Sequence, residues 1–364
     1  MADRRPAPEP EPAPEPEPRW SRRELLRRAG FAGAFAVGGG VLGHELIPHR
    51  SAAAADAPHA DHGSYQGAPS PAGAISGSAG TQHGLYGHAA AAPTSLRQAD
   101  LDVVTLPPSP DGRRGVTREY DLSVTQRQIE VGDGVVVDAW TYDGTVPGPI
   151  LRATEGDRVR IRMANRTSHA HNVHLHGRHD PAMDGWEPIP PGEEFTYDLV
   201  AEPFGLHPYH CHTAPIAEHI GRGLYGTMIV DPPGGRPPAH EVVLILGGWD
   251  VDGDGRNELV CFNGVAGAYH RFPITVPVGE LVRVYLVNML EHDPVASFHL
   301  HAQTFDVFRS GTSLEPDEHT DIVALTQGER AIVEFRLPQR GRYMFHPHQS
   351  SLADRGAMGW FAAI

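Results

Sequence analysis

Beyond about residue 100 the chain runs in short stretches where hydrophobic and polar residues alternate, or where β-branched residues cluster, between Gly, Pro and Asp. Val135-Val136-Val137, Arg158-Val159-Arg160-Ile161-Arg162-Met163 and Leu281-Val282-Arg283-Val284-Tyr285-Leu286 are examples. Successive side chains of an extended strand face opposite sides, so this alternation predicts strands with one buried and one polar face. No window carries a helical period. The expected fold class is all-β, built as Greek-key β-sandwiches.

The pattern occurs twice. Gly156-Asp157-Arg158-Val159-Arg160-Ile161 returns as Gly279-Glu280-Leu281-Val282-Arg283-Val284, and His174-Leu175-His176-Gly177 as His299-Leu300-His301-Ala302. Tyr209-His210-Cys211-His212 returns as Phe345-His346-Pro347-His348, and Gly226-Thr227-Met228 as Gly359-Trp360-Phe361. Offsets of about 123 to 136 residues make each unit a whole domain rather than a solenoid repeat. The Pro- and Gly-rich stretch from Asp231 to Pro238 marks the boundary, which predicts domains over 99–233 and 234–364.

The first hundred residues read differently. Residues 1–19 alternate Pro, Glu and Ala; Ser21-Arg22-Arg23-Glu24-Leu25-Leu26 and an apolar, Gly/Ala-rich run from Ala29 to Leu42 follow, with small residues at Ala53 to Ala55. Residues 1–55 thus read as a twin-arginine export signal, its apolar run short and glycine-rich for a membrane span. The expected location is secreted, cell-surface or periplasmic. Residues 56–98, rich in Ala, Gly, Ser, Pro and His, predict a disordered linker.

Histidine placement carries the chemistry. Residues i and i+2 of a strand share a face, so each His-x-His offers two imidazoles side by side. Four such pairs, His174/His176, His210/His212, His299/His301 and His346/His348, stand at matching places in the two repeats. Eight imidazoles exceed the needs of one mononuclear site and fit a cluster of several metals. Cys211, between His210 and His212, faces the other way. A soft thiolate with two imidazoles is a blue-copper ligand set, and His171 and His219 are the spare histidines nearby. In an exported chain two cysteines suggest a disulfide, but the setting of Cys211 calls for a free thiolate and Cys261 reads as a small buried apolar residue. The second repeat has Pro347 in place of the cysteine and Ala296 where His171 would recur, so it can serve the cluster but cannot build a blue site.

Composition adds exclusions. The 30 basic residues are all Arg and face 45 acidic ones, a formal charge of −15 that argues against nucleic acid and anionic membrane as partners. Asp250-Val251-Asp252-Gly253-Asp254-Gly255 opens like a calcium loop, but Cys261 occupies the twelfth position, so a hairpin turn is the favoured reading.

These residues resemble the cupredoxin-fold multicopper oxidases over about residues 100–364. The likeness is specific at His174-Leu175-His176-Gly177, at His210-Cys211-His212 with His219, and at His346-Pro347-His348. Met183-Asp184-Gly185 with Pro190-Pro191-Gly192-Glu193 also looks like a first laccase domain, and His171-Asn172-Val173 like copper nitrite reductase. The resemblance is to laccase-like, two-domain oxidases with the type 1 copper in the first domain. It implies four coppers per chain: type 1 on His171, Cys211 and His219; type 2 on His174 and His299; the type 3 pair on His176, His210, His212, His301, His346 and His348. It further implies one-electron oxidation of phenolic or similar small-molecule reductants coupled to reduction of dioxygen to water, and a homotrimer with each cluster between one subunit's first domain and the next one's second. The donor is expected to dock at an exposed edge of His219. Asp184 resembles the acid beside the type 2 copper and is expected to relay protons, unless it is only the turn residue before Gly185. Leu224 stands where relatives often place an axial Met, which predicts a three-coordinate, more oxidising blue site. The rivals are a copper nitrite reductase, a non-catalytic electron carrier, which leaves eight histidines unexplained, and an oxidase of Cu(I), which the absence of a Met-rich insertion disfavours.

Overall fold

The computed structural model describes residues 90–97, 101, 106–107 and 114–364; the expected export signal and nearly all of the expected linker lie outside them. The first sandwich comprises β1 (Thr117–Gly132), β2 (Val135–Tyr142), β3 (Leu151–Thr154), β4 (Arg158–Asn165), β5 (His174–Leu175), β6 (Glu194–Val200), β7 (Gly205–His210) and β8 (Tyr225–Asp231). The second comprises β9 (His240–Trp249), β10 (Leu259–Phe262), β11 (Ile274–Val276), β12 (Leu281–Asn288), β13 (Val295–Leu300), β14 (Phe305–Arg309), β15 (Glu318–Thr320), β16 (Ile322–Thr326), β17 (Arg330–Arg336), β18 (Gly341–His346) and β19 (Gly359–Ala363). Sheet β2-β1-β4-β6 faces β3-β8-β7-β5, and β10-β9-β12-β17-β14-β15 faces β11-β19-β18-β13-β16. Parallel contacts β1/β4, β3/β8, β9/β12 and β11/β19 recur in matched positions, the signature of the duplication. The all-β sandwich architecture expected from the strand pattern is what the chain adopts.

Strand β4 behaves as its alternation predicts. Val159, Ile161 and Met163 are fully buried in the first core, while Arg158, Arg160 and Arg162 face outward and pair with Asp198, Glu119 and Asp121. Strand β12 departs from its pattern. Val282, Val284 and Leu286 fill the second core, but Tyr285 and Val287 on its other face are buried too. They join Ile150, Leu206, Tyr225 and Ile229 of the first sandwich in one apolar cluster, so the two sandwiches share a core. Arg283, polar in sequence and 2 % exposed here, is matched by Glu334 and Glu241.

Residues 90–97, at the end of the stretch expected to be linker, are fastened down. The Ala90 N–H donates to Asp354 O at 2.8 Å, the Asp133 N–H to Ala91 O at 3.1 Å, and Arg271 Nη2 to Thr94 O at 3.1 Å. Leu96 and Leu101 are buried in the second core. This short strap therefore ties to both sandwiches. The Asp250–Gly255 segment is the turn between antiparallel β9 and β10, and one Asp250 carboxylate accepts the N–H groups of Gly253, Asp254 and Gly255. Among the described residues no helix is long and apolar enough to cross a membrane.

Candidate metal centre

Each His-x-His pair straddles the end of a strand. His174, His210, His299 and His346 lie in β5, β7, β13 and β18, and their partners lie just beyond. Antiparallel register sets His174 opposite His210, and His299 opposite His346. Two quartets of imidazoles result. Ring centroids in the first are 5.2 Å apart for His174–His176, His174–His210 and His174–His212, and 5.3 Å for His176–His210. In the second they are 4.9 Å for His299–His301, 5.2 Å for His299–His348 and 5.1 Å for His301–His346.

The hydrogen bonds orient the rings. Nδ1 of His174 meets Asp184 O at 3.0 Å, that of His210 meets Cys211 O at 3.0 Å, that of His299 meets Asp321 O at 2.7 Å, and that of His346 meets Pro347 O at 2.7 Å. A carbonyl can only accept, so these Nδ1 atoms carry the proton and Nε2 keeps its lone pair, the arrangement by which metal-binding imidazoles are fixed. The Nε2 atoms converge, 3.2 Å apart in His176–His210 and 2.9 Å in His301–His346. Burial, then the neighbouring imidazoles, pushes His176 down to about 3, and burial pushes His210 to about 4. Both rings are therefore neutral and available to a cation at ordinary pH. Among the described residues no ring contact joins the two quartets. Trp186, 65 % exposed, packs edge-on against His212 at the open side of the first.

A second constellation lies on the other face of the segment after β7. Cys211 Sγ is 3.2 Å from His219 Nδ1 and 3.9 Å from His171 Nδ1, and the two Nδ1 atoms are 3.1 Å apart. His171 comes from the bridge to Ile189, and His219 from the short helix Ile216–Gly221. Cys211 and His171 are fully buried, and His171 Nε2 has no partner. Burial pushes the His171 imidazole down to about 3 and the Cys211 thiol upward, so without a cation the site holds neutral groups. One soft sulfur and two imidazole nitrogens converging in a dry pocket fit copper in a trigonal setting. Cys211 makes no disulfide, nor does Cys261, whose thiol burial pushes up to about 12.

The surroundings hold this site rigid. The Cys211 N–H donates to Leu224 O at 3.0 Å, and the Leu224 N–H donates to His219 O at 3.2 Å; the Leu224 side chain is fully buried and offers no donor atom. Asn172, quoted in the sequence only as a lead-in, accepts the His212 N–H at 2.6 Å and sits 3.5 Å from Cys211 Sγ through the same Oδ1. Trp140, which no motif singles out, packs 4.9 Å from His171 and 4.8 Å from His219 between ring centroids, with the Arg222 guanidinium 4.2 Å from its ring. The expectation of an exposed His219 edge is corrected: the residue is 5 % exposed, because Trp140 and the helix cover it. Asp184 lies as expected beside His174, its Oδ1 3.2 Å from Nδ1. His179 and His207, passed over in the sequence, are both built into the fold: His179 reaches Asp184 at 3.0 Å, and His207, 1 % exposed, binds Pro203 O at 2.7 Å.

Family models described as multicopper oxidase match residues 123–235 and 246–363. Among curated proteins the chain is 31 % identical to the copper-containing nitrite reductase of Neisseria meningitidis serogroup A, over 71 % of this chain and 74 % of that protein. It is 37 % identical to the multicopper oxidase MmcO of Mycobacterium tuberculosis, over 39 % of this chain and 29 % of that one. Among solved structures, one described as a multicopper oxidase shares 39 % identity and a TM-score of 0.69, covering 77 % of this chain and 99 % of its own. The copper nitrite reductase of Nitrosomonas europaea shares 30 % identity and a TM-score of 0.62, covering 68 % and 94 %. With both sandwiches matched, with a sulfur–imidazole pocket in the first and an imidazole quartet in each, the chain belongs to the multicopper oxidase family as a two-domain member.

Proposed function

We propose that this copper-binding oxidoreductase is laccase-like, oxidising phenolic or similar small reductants one electron at a time and reducing dioxygen to water. The observation that carries the reading is the completeness of both imidazole quartets, in matched register, alongside the sulfur site. His171, Cys211 and His219 would hold a type 1 copper, His174 and His299 a type 2 copper, and His176, His210, His212, His301, His346 and His348 a type 3 pair, four per chain. Copper held there supplies one-electron redox chemistry and the multi-electron reduction of oxygen.

The chain's own residues do the rest. Cys211 is bonded directly to His210 and His212, so sulfur and quartet are a few covalent bonds apart. Trp140 and the helix Ile216–Gly221 exclude water from the sulfur site. We assign to the Asp184 carboxylate, 3.2 Å from His174 Nδ1, the role of proton relay. Leu224, whose backbone bonds both Cys211 and His219, offers no ligating atom, and copper held there would be more oxidising for it. Among the described residues no ring contact joins the two quartets, which is compatible with the homotrimer that the family resemblance implies, and we propose that each first domain meets a neighbour's second. Arg22-Arg23 and the apolar run after it support export by the twin-arginine route.

The similarity to Neisseria and Nitrosomonas nitrite reductases favours a second reading, anaerobic reduction of nitrite to nitric oxide. Such a site needs three histidines, whereas here His212 completes the set. Purified, copper-loaded protein decides: four coppers per chain and phenol-dependent oxygen uptake are expected. Nitric oxide from nitrite without oxygen uptake would replace this reading with the second.

A further inference from the structure

In both sandwiches the first histidine of the first pair meets the main-chain carbonyl of one aspartate, but the carboxylates of the two aspartates stand differently. His299 Nδ1 meets Asp321 O at 2.7 Å, while the Asp321 carboxylate stands 3.8 Å away with its side chain 56 % exposed. His174 Nδ1 meets Asp184 O at 3.0 Å, and here the carboxylate also closes to 3.2 Å, with only 21 % of the side chain exposed. The added element is His179. Its side chain is 6 % exposed, and its Nε2 lies 3.0 Å from Asp184 Oδ1, the same oxygen that faces His174.

The loop is built to deliver this contact. Asp180 opens the single turn Pro181–Met183 by accepting the Ala182 N–H at 2.9 Å, and the Asp184 N–H donates to Pro181 O at 3.2 Å. Gly185 follows at φ 75°, where a Cβ would fall 2.3 Å from Val173 O, so the next residue must be glycine for the loop to lie against the chain that enters β5. Asn172 Nδ2 donates to Gly185 O and locks that approach. On its far side His179 lines a recess of about 460 Å3 walled by Arg178, Asp180, Asp198 and Glu202, and Asp184 does not line it. The imidazole therefore stands between the carboxylate and that recess.

We propose that His179 is a positioning residue for His174: by donating to Asp184 Oδ1 it holds the carboxylate on His174 Nδ1 and so fixes and strengthens the Nε2 lone pair offered to the metal. A carboxylate on the far nitrogen of a ligating imidazole raises its basicity, and such partners typically matter roughly 10–100-fold in metal affinity or activity. Asp321, without a companion imidazole, shows what the arrangement becomes otherwise. The inference rests on the proposed copper ligation by His174.

The test is chelator competition on the copper-loaded protein, with copper counted per chain, the type 2 paramagnetic signal recorded, and absorbance near 600 nm followed. His179→Leu is expected to keep the 600 nm band while copper at the His174 position is lost to chelator roughly 10–100-fold more readily. His179→Gln, which keeps an N–H within reach of Asp184, restores most of the affinity and the signal. Asp184→Asn mimics the leucine variant, and the double variant is no worse than Asp184→Asn, because the two act as one unit. Should the leucine variant not fold, His179→Asn, polar but too short to reach, takes its place with the same expectations. Wild-type chelator resistance in the leucine or asparagine variant, or additive losses in the double variant, overturns the inference. A wild-type protein without a 600 nm band or with fewer than four coppers would instead sink the oxidase reading.

Discussion

Arg152 offers the sharpest test of how the two sandwiches are joined. It is 3 % exposed, and its guanidinium is gripped by Asp231 at 2.7 and 3.0 Å and by Glu241 at 2.9 and 3.0 Å, with Pro107 O at 3.0 Å. Burial alone would lower its pKa; the hydrogen bonds of Asp231 and Glu241 more than offset this and hold it above its ordinary value. Replacing it by Met removes the cation and leaves the carboxylates in unequal positions. Glu241 keeps Tyr285 OH and Arg283, so its charge stays compensated. Asp231, 4 % exposed, loses its ion-pair partner. The cost follows from one uncompensated buried carboxylate, about 3–5 kcal/mol, rather than from the sum of all the bonds lost. Denaturant unfolding of the copper-free protein measures it free of the stabilisation that bound metal adds. Arg152→Met with Asp231→Asn should recover a large part of the loss, because the orphaned charge is gone. A loss below about 1 kcal/mol, the worth of an exposed pair, or a double variant no more stable than the single one, refutes the reasoning.

Other outcomes can be stated more briefly. Cys211→Ser should abolish absorbance near 600 nm and reduce phenol-dependent oxygen uptake to background, since the thiol of the His171–Cys211–His219 group is removed. Leu224→Met should lower the midpoint potential at which the 600 nm band bleaches in a spectroelectrochemical titration, by adding an axial thioether; an unchanged potential would show that Leu224 is not axial. His207 gives a pH dependence. Burial, opposed by the Pro203 carbonyl and aided by Arg330, lowers it to about 4 from the ordinary 6.5. The unfolded chain thus takes up a proton first, so stability complete above pH 6.5 is lost as pH falls toward 4, by about 3 kcal/mol. Urea unfolding of copper-free wild type and His207→Gln across that window should show the shallower slope in the variant, and equal slopes would exclude the role.

The metal site was legible because its grammar is local. Alternation along a strand needs no knowledge of distant contacts, so His174/His176 and their three counterparts could be read as shared-face pairs, and Cys211 as facing away from them. Contacts between separate segments were not legible. Arg283 and Tyr285 of β12 follow the same alternation as the outward arginines of β4, yet they are buried because the first sandwich packs there. Residues 90–97 have the composition of a spacer, and their backbone bonds to both sandwiches together with the seating of Leu96 in the second core turn them into a strap. His179 and His207 look like any surface histidine in one dimension; what distinguishes them is an aspartate five residues on and a proline carbonyl four residues back, each brought round by the loop. Trp140, flush against both imidazoles of the sulfur site, lies in a strand that carries no metal-site motif.

The separation of the two quartets has a consequence for inheritance. In the proposed ring, function belongs to the junction rather than to the polypeptide. A copy disabled at His176 and a copy disabled at His301 each form only dead junctions with their own kind. Co-produced, they build mixed rings in which one intact first sandwich meets one intact second sandwich, so two null alleles of a single gene should partly rescue each other.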